Sequence, residues 1–115
     1  MEMIKIKGDV MTKIAIFASG SGSNFQAIVE AVNAGIVPAS IEMLVCDQPE
    51  AYCVTRAKEL GVPSLTFRPK DYSSKTAYEE DVLSTLRERS VEWIILAGYM
   101  RLIGPVLLEA YPNRI

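Results

Sequence analysis

A chain of 115 residues with a net charge of −2, half hydrophobic and 23% charged, has the size and make-up of one globular domain. That balance excludes a strong field for nucleic acid or an anionic membrane surface, and no apolar run nears the roughly 18 residues of a membrane span. The chain has no histidine, which removes imidazole acid–base catalysis and most zinc sites from these residues.

Residues 1–10, MEMIKIKGDV, precede a second plausible start at Met11 and form an N-terminal extension of unclear role. They carry no apolar signal-peptide core, so the expected location is cytoplasmic. The first predicted strand is Lys13–Ala18. It breaks into Ser19-Gly20-Ser21-Gly22-Ser23-Asn24, and a helix is expected from about Asn24 to Ala34. Phe25, Ile28, Val29 and Val32 fall at i, i+3, i+4 and i+7, one apolar stripe facing a sheet.

A strand that turns through small residues into a helix presents backbone N–H groups without intrahelical partners, and the helix dipole favours an anion there. The segment reads as a phosphate-binding loop; the alternative is a Gly-rich turn that binds nothing. It departs from the dinucleotide pattern G-x-G-x-x-G, because Phe25 stands where the third glycine belongs. No Gly-Lys-Ser/Thr follows, so it is not a Walker loop either.

The second strand is expected at Ser40–Cys46. Asp47-Gln48-Pro49-Glu50 reads as a helix start with Asp47 as cap and Glu50 three residues on, in preference to Asp47 as a ribose ligand. That helix should run to Leu60, before Gly61-Val62-Pro63. Cys46 and Cys53 are expected to stay reduced, in a cytoplasmic protein without a Cys-x-x-Cys pair.

A short third strand, Ser64–Phe67, leads through the polar loop Arg68–Lys75 to a helix capped by Thr76 with Glu79 as its box partner. That helix should end near Arg89, with Val82, Leu83 and Leu86 turned inward. The fourth strand, Val91–Ala97, carries the apolar run Trp93-Ile94-Ile95-Leu96-Ala97 expected of a strand buried on both faces. The loop Gly98–Ile103 and a short helix from Gly104-Pro105 to Ala110 follow. This strand–helix alternation predicts an α/β fold: a Rossmann-like parallel sheet with helices on both faces. Ligands in such folds bind at the carboxyl ends of the strands, where the Ser19–Asn24 loop, the Asp47 turn and the Gly98–Ile103 loop gather.

FASGSGSNFQAI, LVCDQPEA, SKTAYEEDVL and ILAGYMRLIGPVLLEAY together closely resemble phosphoribosylglycinamide formyltransferase of purine biosynthesis, over essentially all of Met11–Ile115. The resemblance implies the N-terminal half of a three-layer formyltransferase fold and one formyltransferase-type domain over residues 11–115. It implies transfer of a formyl group from 10-formyltetrahydrofolate to the amino group of glycinamide ribonucleotide, with no metal, no nucleic-acid partner and no membrane. A homodimer is the assembly to consider.

By the same resemblance Gly22, Ser23 and Asn24 bind the phosphoribosyl substrate. Lys75 falls at a basic position that touches the folate, and Met100, Arg101, Leu102 and Ile103 line the folate pocket. For Arg101 the alternative is a solvated loop charge, and for Met100 and Leu102 a local core plug. The family's catalytic Asn and His, in an Asn-x-His-Pro segment, and a later Asp are expected beyond residue 115, so residues 1–115 alone are expected not to catalyse the transfer. The strands beside the fourth one would also be missing, leaving Ile94, Ile95 and Leu96 on an exposed edge. Competing readings are a deformylase or methionyl-tRNA formyltransferase of the same fold, and a non-catalytic Rossmann-type nucleotide-binding module. The loop chemistry disfavours the deformylase, and the lack of a basic surface disfavours the tRNA enzyme.

Overall fold

Strands β1 (Thr12–Ala18), β2 (Ala39–Cys46), β3 (Ser64–Thr66) and β4 (Trp93–Leu96) alternate with helices α1 (Ser23–Asn33), α2 (Tyr52–Leu60), α3 (Lys75–Glu88) and α4 (Pro105–Ala110). The computed structural model describes residues 11–115, and the extension over residues 1–10 lies outside the described residues. The strands form one parallel sheet in the order β3-β2-β1-β4.

Two-residue alternation in β1 builds two separate cores. Ile14, Ile16 and Ala18 face α1 and α2, where they meet Phe25, Val29, Cys53 and Ala57. Ala15 and Phe17 point the other way, to Val82 and Leu86 of α3 and Leu107 of α4. The sheet is therefore the middle of three layers, and β1 is apolar at every central position because both its faces are covered. Phe25 is fully buried in the first core, so its place in the glycine pattern is a packing position.

The expected elements occur in the expected order, with differences at two helix starts, in the polar loop and in the last strand. Asp47 does not cap α2, which begins only at Tyr52 behind Ala51. The cap of α3 is Ser74, whose Oγ accepts from the Ala77 N–H at 3.1 Å, two residues earlier than the expected Thr76 cap. Glu79 is consequently free of the capping box and turns inward. The Pro69–Asp71 stretch of the polar loop winds into one 3-10 turn.

β4 is less buried than its apolar run promises. Ile94 is fully buried in the α3–α4 core, but Leu96 is 46% exposed and Trp93 38%. Among the described residues β4 pairs with β1 on one side, while its other side meets the 111–115 segment through an Ile94 N–H bond of 2.9 Å to the Arg114 carbonyl. The Arg114 guanidinium also lies 5.8 Å from the centroid of the Trp93 ring. The expected exposed edge thus holds for Leu96 and in part for Ile95, and is corrected for Ile94.

A strand edge with exposed Leu and Trp is a template for association. Leu96→Lys should lower the weight-average mass of the 115-residue chain in sedimentation velocity at a fixed concentration. An unchanged, already monomeric wild-type chain would count against association through this edge.

Candidate functional site

The β1–β4 junction is where successive crossovers leave in opposite directions, so the loops after these two strands diverge and open a cleft. Ser19, Gly20, Ser21, Gln48, Gly98 and Met100 are among its lining residues, and it encloses about 500 Å³.

The Ser19–Ser21 part of its lining leads directly into the start of α1. Gly22 holds the cap position with φ +80°, and no side chain caps the helix, so its first N–H groups keep no partner of that kind. Ser23 and Asn24 are the first two helical residues and both are exposed. Glycine is required here twice over. A Cβ at Gly22 would lie 2.6 Å from Cys53 Cβ, and the left-handed φ disfavours any other residue. The loop is tied to α2 by the Cys53 N–H, which donates to the Gly20 carbonyl at 3.0 Å, and by Arg56, whose Nε donates to the Ser21 carbonyl at 2.6 Å. Arg56 also bonds Gln26 of α1 and lies over the Tyr52 ring at 4.9 Å. Nothing in the local sequence around Arg56 signals this role.

Asp47 joins the three loops. It follows β2 directly and is 2% exposed. The Ser19 hydroxyl donates to Oδ1 at 2.5 Å, and Arg101 Nε donates to Oδ2 at 3.0 Å. Ser19 in turn accepts from the Met100 N–H at 2.8 Å, and its own N–H donates to the Gly98 carbonyl at 3.1 Å. Neither sequence reading of Asp47 foresaw this: the carboxylate is neither a helix cap nor exposed to a ribose, but a buried anion with two side-chain donors. Arg101 is correspondingly not a free loop charge. Ser19 lay within the recognised loop, but its pairing with Asp47 spans 28 residues and leaves no local trace.

The loop beyond β4 presents Met100 and Leu102 at 80% and 85% exposure, so neither plugs the core. Ile103 is half-buried against the α3–α4 core. Tyr99 anchors the loop edge-on against Phe17, with ring centroids 5.2 Å apart. Lys75, the first residue of α3, sends Nζ to the Leu102 carbonyl at 2.6 Å. The structure therefore brings Gly22, Ser23 and Asn24 to one loop of the strand-end surface, and Lys75 to the same loop as Met100, Arg101, Leu102 and Ile103.

Residues 12–115 match the formyl transferase family. The chain belongs to that family. It is 50% identical over 105 residues to phosphoribosylglycinamide formyltransferase of Bacillus subtilis, covering 91% of this chain and 54% of that protein. The Haemophilus influenzae protein of the same name is 32% identical, with 91% and 50% covered. Glycinamide ribonucleotide transformylase 1 from Geobacillus kaustophilus superposes with a TM-score of 0.89 at 54% identity, covering 90% of this chain and 55% of that one. The Bacillus halodurans phosphoribosylglycinamide formyltransferase gives 0.86 at 46% identity, with 90% and 53% covered. This formyl transferase chain thus spans about half the length of the curated relatives it matches.

Behind the Ser19–Asn24 loop, Cys46 and Cys53 are both free and fully buried, with sulfurs 3.4 Å apart. Burial pushes the Cys46 thiol up from 9.0 to about 12, because the thiolate would lose its water. The folded state therefore holds a proton that the unfolded chain releases above its ordinary value. Stability should be constant in this respect below pH 9 and fall as pH rises from 9 to 12, which urea unfolding across that range would reveal. In Cys46→Ser the steepness of that fall should lessen.

Removing the buried carboxylate strands Ser19 and Arg101 together. Asp47→Ala should lower the unfolding free energy by about 2 kcal/mol, measured from the urea midpoint. A loss below about 0.5 kcal/mol would show that the loops hold together without it.

Proposed function

We propose that this chain supplies the phosphoribosyl-binding loop and the folate loop of a phosphoribosylglycinamide formyltransferase, which moves the formyl group of 10-formyltetrahydrofolate to the amine of glycinamide ribonucleotide. The carrying observation is the uncapped start of α1 at Gly22, fastened across Ser19 to the loop of Met100–Ile103 at the divergent strand ends. In this reading the N–H groups and side chains of Gly22, Ser23 and Asn24 take the substrate phosphate. Met100 and Leu102, apolar and exposed, offer a surface for the pterin side of the co-substrate, with Ile103 behind them and Arg101 fixed by Asp47. Lys75 stands on the same side through its bond to Leu102. A cytoplasmic location goes with this reading.

The reaction joins the amine nitrogen to the formyl carbon and breaks the bond from that carbon to the folate nitrogen. The attacking amine loses a proton and the leaving nitrogen gains one. An oxyanion forms between these steps and needs positioned donors. Asp47 is committed to Ser19 and Arg101, and the chain has no histidine, so these residues bind and orient rather than transfer the proton. The proton-transferring groups are assigned to sequence of the kind found in the half of the relatives that this chain does not span.

The test is calorimetric titration with glycinamide ribonucleotide, paired with release of tetrahydrofolate from 10-formyltetrahydrofolate by the full protein. Binding and turnover are expected in the wild type. Gly22→Ala should weaken glycinamide ribonucleotide binding by about tenfold or more, because the cap must shift away from Cys53. Binding of NAD with no response to glycinamide ribonucleotide would replace this reading by the non-catalytic nucleotide-binding module.

A further inference from the structure

The first turns of α3 reach the loop after β4 at two points. Lys75 and Glu79 are four residues apart and share a helix face. Lys75 Nζ donates to the Leu102 carbonyl at 2.6 Å, and Glu79 Oε2 accepts from the Gly104 N–H at 2.7 Å. Both ends of the Leu102–Gly104 backbone are held by side chains of one helix. Gly104 leaves no room between them: a Cβ there would meet Lys75 Cδ at 2.7 Å and Glu79 Oε1 at 2.8 Å.

Glu79 is unusual in its surroundings. It is 2% exposed, makes no ion pair among the described residues, and its Oε1 has no hydrogen-bond partner among them. A buried carboxyl with one partnered oxygen costs stability that a buried apolar side chain would not. What it secures is one backbone group of the loop that carries Met100–Ile103. Lys75 is likewise engaged with the loop itself, with its ammonium 5.9 Å from the Tyr78 ring centroid.

We infer that Lys75 and Glu79 form a two-point backbone clamp that sets the shape of the Met100–Gly104 loop, making Glu79 a positioning residue for the pterin-bearing co-substrate. The inference rests on the formyltransferase reading for the identity of the ligand, but not for the clamp. Clamping acts at the far end of the loop: among the described residues α3 and the Leu102–Gly104 backbone share no hydrogen bond with the Gly22–Asn24 turn, and the tie to Ser19 is made at the other end, by the Met100 N–H. A loosened clamp should therefore weaken one substrate selectively.

The experiment compares wild type with Glu79→Ala, Glu79→Gln and Lys75→Met in the full protein. Glu79→Ala should raise the KM for 10-formyltetrahydrofolate by about tenfold while the KM for glycinamide ribonucleotide changes by less than about twofold. Glu79→Gln retains an acceptor for the Gly104 N–H and should recover most of that loss. Lys75→Met keeps the aliphatic stem and should shift the same KM in the same direction. Amide hydrogen exchange at Gly104 should accelerate in Glu79→Ala and not in Glu79→Gln.

Equal losses for both substrates with a lowered Tm would mark Glu79 as merely structural and overturn the inference. So would an unchanged folate KM, or unchanged Gly104 exchange in Glu79→Ala. If the wild type transfers no formyl group, the functional reading fails, and the exchange measurement alone decides the clamp.

Discussion

The strand-end surface depends on a buried carboxylate. A parallel sheet delivers its loops to one end but does not join them, and the loops after β1, β2 and β4 share no covalent or ladder constraint beyond their first residues. Asp47 supplies the missing constraint. An anion at 2% exposure is tolerable only with strong donors, and here these come from the other two loops, Ser19 and Arg101. The penalty for leaving Asp47 unpaired is what makes the geometry specific. Ser19 then relays the contact to the Met100 amide, so a single network fixes the relative position of the Ser19–Asn24 loop and the exposed apolar loop.

The Ser19–Asn24 loop itself is shaped by a close approach of helices. α1 and α2 cover the same sheet face, and Gly22 sits against Cys53 with no space for a side chain. The missing cap that leaves the helix N–H groups available is therefore a consequence of packing as well as of chemistry. Arg56 completes the arrangement by donating to the Ser21 carbonyl, which holds the turn without occupying the amides.

On the opposite face, α3 and α4 close over Ala15, Phe17 and Ile94. This layer carries the second site element, because the loop between β4 and α4 lies across the start of α3. Lys75 and Glu79 meet it from the helix side while Tyr99 meets Phe17 from the sheet side. Exposed Met100 and Leu102 are thus held on a braced backbone.

The sequence by itself determined the layered α/β fold, the order of its elements and the place of the glycine loop. Periodicity and turn residues are local properties, and β1 or α1 reads the same in isolation as in the fold. It also carried the family, through the resemblance of SGSGSN after the first strand paired with AGYMRLIGP after the fourth. Tertiary structure alone decided what the charged residues do. Asp47 next to Pro49 and Glu50 has the local pattern of a cap, and Glu79 after Thr76 that of a capping-box acid, yet both turn inward. Their partners, Arg101 and the Gly104 amide, lie 54 and 25 residues away, beyond the reach of any local pattern. The burial of β4 was likewise undecidable from its apolar run. Exposure of Leu96 depends on which chain segment lies beside the strand, and side-chain composition does not encode its neighbour.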